Sequence, residues 1–114
     1  MSNFTTQKYV LKIYIDNTDK YNNQPLWKYI LESIKEANIA GATVYKAVAG
    51  IGEHSLLHTF DILNLSNEMP LIIEIIENEE KLTNFLESHK KALSNLFITK
   101  HPIEIVSYSK NIGE

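Results

Sequence analysis

Pro70-Leu71-Ile72-Ile73-Glu74-Ile75-Ile76-Glu77-Asn78-Glu79-Glu80 is the stretch on which the fold turns. From Leu71 to Ile76 the apolar residues fall at both odd and even positions, which is the pattern of a strand covered on both faces and therefore central in a sheet. Pro70 cannot donate to a strand ladder and marks the strand start. Asn78 is a helix N-cap candidate, and Glu79 and Glu80 suit the positive end of the helix that follows. The Glu77-Asn78-Glu79-Glu80 run reads as a capped helix start with a solvated face.

Toward the C-terminus, Leu82, Phe85, Leu86, His89 and Leu93 make the buried stripe of this second helix, which is expected to end near Asn95. His89 lies on the stripe and reads as a packed, hydrogen-bonded histidine. The last strand falls within Phe97 to Tyr108, where Pro102 argues for an edge position or a bulge. Toward the N-terminus, Ala49 to Met69 fits no simple element, and so long a connection in a compact domain is usually functional. Phe60, Ile62 and Leu65 within it look inward-facing. Before it lies a β-branched and aromatic strand, Ala42 to Val48, with Gly41 closing the preceding connection. The first helix is expected from Pro25 to Asn38, with Leu26, Ile30, Ile34 and Ala37 on one stripe and Trp27 and Leu31 beside it. A polar, turn-rich loop from Asp16 to Asn23 precedes it. The first strand runs from Lys8 to Ile15, with Tyr9, Leu11, Ile13 and Ile15 on one face.

The element order is thus βαββαβ. Two β-α-β halves in sequence imply an α+β, ferredoxin-like fold, a four-stranded antiparallel sheet with both helices on one face. A chain of 114 residues fits one domain, 1–114, with its core at about 8–108. The other sheet face carries Val10, Tyr14, Ile72 and Ile76, too apolar for open water, so an oligomer is expected.

With 44% hydrophobic and 22% charged residues the chain is a packed globular protein. The absence of cysteine excludes disulfides, thiolate metal sites and thiol catalysis. Lys8 and Lys12 interrupt the apolar residues of the N-terminal segment, so no secretory signal is read there, and no stretch reaches the length of a membrane span. The address expected is cytoplasmic, with no membrane insertion. A net charge of −3 argues against a general nucleic-acid binder.

One long stretch carries more. Gly41-Ala42-Thr43-Val44-Tyr45-Lys46-Ala47-Val48-Ala49-Gly50-Ile51-Gly52-Glu53-His54-Ser55 is followed by Leu57-His58-Thr59, Ile62-Leu63 and Pro70-Leu71-Ile72-Ile73-Glu74-Ile75. Together with Pro25-Leu26, Glu80-Lys81 and Leu96-Ile98-Thr99, it resembles the PII-like family known as domain of unknown function 190, over about Leu11 to Tyr108. Where that family usually has Arg-Gly, this chain has Lys46-Ala47, which keeps the positive charge and loses the planar fork of arginine. The Gly-rich loop and basic last strand that nucleotide-binding PII signal proteins use on phosphates are absent, so ATP binding is not implied. The resemblance implies a homotrimer that binds a small ligand at intersubunit clefts, with the connection after the second strand as its signalling loop. It implies regulation of another protein, a membrane transporter among the candidates.

The ligand-binding candidates are Thr43, Lys46, Gly50, Gly52, His54 and His58. Gly50 and Gly52 allow positive φ and close approach of a ligand, or simply mark a bulge or turn. Lys46 beside loop N–H groups could hold an anion, or stand solvated on an open face. His54 and His58, with Glu53 or Asp61, have metal-ligand chemistry but no compelling third-ligand spacing, and surface histidines are the simpler reading. Ser55 lacks the surroundings of a nucleophile. No catalytic residue, metal or cofactor is assigned. A regulatory binding module is favoured, against a small enzyme or metal-binding protein using His54 and His58, or a purely structural oligomerisation module.

Overall fold

The fold comes from a computed structural model that describes residues 3–47, 49–51, 57–59 and 70–108. In chain order these form β1 (Asn3–Asp16), β2 (Lys20–Tyr21), β3 (Gln24–Pro25), α1 (Leu26–Glu36), β4 (Gly41–Lys46), β5 (Ala49–Ile51), β6 (Leu57–Thr59), β7 (Pro70–Glu77), α2 (Glu79–Ser88) and β8 (Phe97–Tyr108). The main sheet has the order β4-β7-β1-β8, with every neighbouring pair antiparallel. It is the ferredoxin-like α+β arrangement expected from the element order.

Alternation decides which face is covered. Leu11, Ile13 and Ile15 of β1 and Leu71, Ile73 and Ile75 of β7 pack with Leu26, Ile30 and Ile34 of α1 and Leu82 and Phe85 of α2 in one buried cluster. Both helices therefore lie on the same face of the sheet. β7 is central, between β4 and β1, as its apolar run predicts. Pro102 sits in β8, which pairs with β1 alone in this sheet, so the edge position expected for it is the one observed.

Several boundaries differ from expectation. β1 begins at Asn3 rather than Lys8 because β8 is long enough to pair with it back to Tyr108. Asp16 to Asn23 contains structure of its own: Tyr21 pairs with Gln24 across a two-residue turn, Asn22-Asn23, with φ of 51° and 64°. Two left-handed asparagines are what a type I′ hairpin turn requires. This hairpin holds Pro25 extended, at ψ 131°, opposite Lys20, so α1 starts at Leu26 and Pro25 precedes it.

α1 stops at Glu36, leaving Ala37 exposed instead of in the buried stripe, and Asn38 turns the chain at φ 57°. β4 includes Gly41 and ends at Lys46, and Val48, expected as its last residue, lies outside the described residues. α2 ends at Ser88 rather than near Asn95. Residues 89–95 form turns that still bury Ala92 and Leu93, and Asn95 at φ 66° leads into β8. Among the described residues no helix is long and apolar enough to cross a membrane.

Candidate functional site

Two places concentrate polar chemistry. The first is where the chain leaves the sheet after β4 and rejoins it at β7. The Ala47 N–H donates to the Pro70 carbonyl at 2.8 Å, directly beyond the pairing of Lys46 with Leu71. The departing and returning strands are thus clamped together, and the excursion of the chain between them starts and ends at a closed base. Between β4 and β7, β5 pairs with β6 as a ribbon and sets Gly50 directly opposite His58. Two of the sequence candidates, eight positions apart, are thereby brought face to face along the backbone.

Lys46 is exposed at the end of β4, at the base of that ribbon. Thr43 is also exposed, yet it pairs with Glu74 while Lys46 pairs with Leu71, so alternation puts the two on opposite faces of the sheet. Thr43 belongs to the open face and Lys46 to the helix side, at an edge the helices do not cover. Gly52, His54 and their neighbours Glu53 and Ser55 lie outside the described residues, as do Phe60, Asp61, Ile62 and Leu65. Among the described residues no group of three His, Asp or Glu side chains is arranged to hold a metal ion.

The second place was not legible as a site. Glu77, expected on a solvated face, is only 2% exposed. It continues the inward alternation of Leu71, Ile73 and Ile75, and that continuation was the signal available in the sequence. Its Oε2 accepts from the Asn78 N–H at 2.9 Å and from Lys8 Nζ at 3.3 Å, and its Oε1 accepts from the Ala40 N–H at 2.9 Å. Lys81 Nζ stands 3.7 Å from Oε1. The Asn78 N–H above all, with the Ala40 N–H and the two lysines, outweighs burial and holds the carboxyl down at about 2. One carboxylate thus fixes the start of α2, the α1–β4 connection and β1 at the same end of the sheet. Its neighbours are structural: Asn78 Oδ1 accepts the Lys81 N–H at 2.9 Å, the N-cap expected for α2.

His89 is half-buried and hydrogen-bonded as expected, its Nδ1 lying 2.8 Å from the Tyr29 hydroxyl. Tyr21 and Phe85 complete that aromatic contact, which ties the β2–β3 hairpin and α1 to the end of α2.

A ferredoxin-like sheet with a long connection between its second and third main strands is an architecture that this chain shares with solved PII-like proteins. The fold is similar to CPII of Thiomonas intermedia K12, whose structure bound to ADP and bicarbonate superposes with a TM-score of 0.68 at 15% identity, over 90% of this chain and 91% of that one. The chain belongs to the family described as DUF190, uncharacterized ACR, whose model matches residues 8–105. It is 34% identical over 100 residues to a UPF0166 protein of Aquifex aeolicus (strain VF5), covering 88% of this chain and 94% of that protein. A UPF0166 protein of Methanocaldococcus jannaschii is 36% identical over 86 residues, 75% of this chain and 79% of its own length.

Proposed function

We propose that this chain is a PII-like regulatory protein that binds a small anionic ligand at clefts between the subunits of a homotrimer and passes the binding state to a partner protein through residues 47–69. The observation that carries the reading is the closed base at Ala47 and Pro70, with the Lys46 cation beside it. An anion there would meet a charged donor at the point where the excursion joins the sheet, and Gly50, with no side chain, permits close approach to the ribbon backbone. The ligand can shift the excursion only by binding one of its arrangements more tightly than another.

CPII, bound to ADP and bicarbonate in one structure and to ADP, AMP and bicarbonate in another, supplies the probes. Isothermal titration of the purified chain with ADP, AMP and bicarbonate, alone and in pairs, tests the reading, with native mass spectrometry giving subunit number. Saturable binding that Lys46→Ala weakens by at least about tenfold is expected, the loss of one charge-assisted contact. Equal affinity in both proteins would remove Lys46 from the site, and absence of binding by every probe would favour a purely structural module. We place the protein in the cytoplasm and its output at another protein, for which a membrane transporter is one candidate.

A further inference from the structure

The open face of the main sheet carries a feature that its apolar character does not explain. Across the four strands, the register aligns three rows on this face. Gly41, Ile76, Val10 and His101 form one row, and Tyr45, Ile72, Tyr14 and Phe97 another. Between them runs Thr43, Glu74, Lys12 and Thr99. The flanking rows are largely apolar, and their aromatic members stand out: Tyr45 is 47% and Phe97 58% exposed, with Tyr14 packed on the Phe97 ring at 5.3 Å. The middle row holds an anion and a cation on adjacent strands at the centre of the face.

Lys12 and Glu74 are direct cross-strand partners, a placement that ordinarily allows an ion pair. Yet no ion pair or hydrogen bond joins them among the described residues, and the bond recorded for Glu74 is a long one, 3.4 Å, from the Tyr45 hydroxyl. Both are half-buried, between rows that would be dry in any assembly covering this face. A charge sealed in such a setting must find a counter-charge. A surface bearing one of each sign at its centre finds both on a second copy of itself.

With the open sheet face covered by a second copy in that assembly, we propose that Lys12 of one copy pairs with Glu74 of the next to set the register of the contact. This rests on the assembly proposed above and goes beyond it, since the apolar rows alone would allow copies to slide, whereas a central charge pair permits one offset. Buried polar pairs are known to act in this way at the cost of some stability. Tyr45 and Phe97, at the two edges of the same face, would be covered in the same contact.

The test is charge reversal read by light scattering and native mass spectrometry at micromolar concentration. Lys12→Glu and Glu74→Lys are each expected to shift the oligomer toward monomer by at least about tenfold in dissociation constant, because like charges would then face each other. The double variant K12E/E74K restores assembly. Mixing the two single variants separates a contact between copies from one within a chain: in a mixed trimer two of the three contacts set an introduced carboxylate or a native one against an ammonium, where neither variant alone has any, so the mixture assembles at lower concentration than either variant by itself. If the mixture assembles no better than either variant alone while the double variant assembles, the pairing lies within the chain and the proposal is overturned. It is also overturned if both single variants keep the wild-type subunit number. A wild-type chain that is itself monomeric would overturn the assembly reading along with it. Should a reversal prevent folding, Lys12→Met leaves Glu74 uncompensated, and unchanged assembly in that variant counts against the pair.

Discussion

Replacing Glu77 by glutamine isolates one carboxylate and gives its effect a definite pH signature. The group is held at about 2 against an ordinary value of 4.5. A depressed folded-state value means that the unfolded chain binds more protons between those limits. The stabilisation is therefore complete above pH 4.5 and is lost as the pH falls toward 2. At 1.36 kcal/mol per unit the ionised group contributes at most about 3 kcal/mol at pH 7, of which about 2 kcal/mol is already gone at pH 3. Glutamine keeps an acceptor for one of the Asn78 and Ala40 N–H groups but offers no charge to Lys8 or Lys81. Glu77→Gln should thus cost between about 1 and 3 kcal/mol at neutral pH and much less at pH 3. Urea unfolding of both proteins at half-unit steps from pH 7 to pH 2 measures the difference directly. Stability curves that run parallel across the whole range would refute the reasoning, since the loss would then be one of packing and not of an ionised, hydrogen-bonded carboxylate.

Lys46→Ala should change the melting temperature by no more than the equivalent of about 0.5 kcal/mol, because the side chain is exposed, and a larger loss in calorimetry would assign it a structural role. Ile73→Ala, fully buried at the centre of β7, is expected to cost about 2–5 kcal/mol, while Val44→Ala on the adjacent edge strand should cost less than about 1 kcal/mol. Comparable losses in chemical denaturation would contradict the placement of β4 beyond the helix layer. Asn78→Ala removes the acceptor for the Lys81 N–H and should cost about 1 kcal/mol, with Asn78→Ser restoring most of it. No recovery in the serine variant would argue against a capping role.

The features legible in the sequence are those set by neighbours close along the chain. The apolar run Leu71 to Ile76 identified the central strand, period-two spacing from Tyr9 to Ile15 gave the buried face of β1, Asn78 marked the start of α2, and Pro102 placed β8 at an edge. Alternation could also have separated Thr43 from Lys46, since residues three apart in a strand face opposite ways. Asn22-Asn23 carried a hairpin signal too, but its strands are only two residues each, too short to show a period. What only the tertiary structure decided involves groups far apart in sequence. Ala40 and Lys8 reach Glu77 across 37 and 69 positions, turning a residue that reads as a solvated helix-start acid into a buried, ionised strut. The hydrogen bond between Ala47 and Pro70 closes the base of the excursion, and Gly50 meets His58 only because the ribbon folds back on itself. Helix stops at Glu36 and Ser88 were likewise not legible, because apolar residues at helical spacing, Ala37 and Leu93, follow both stops in the sequence. Local pattern fixes which side of an element is apolar; which elements then meet, and which charges are left facing one another on Lys12 and Glu74, is set by the register of strands that are remote in the chain.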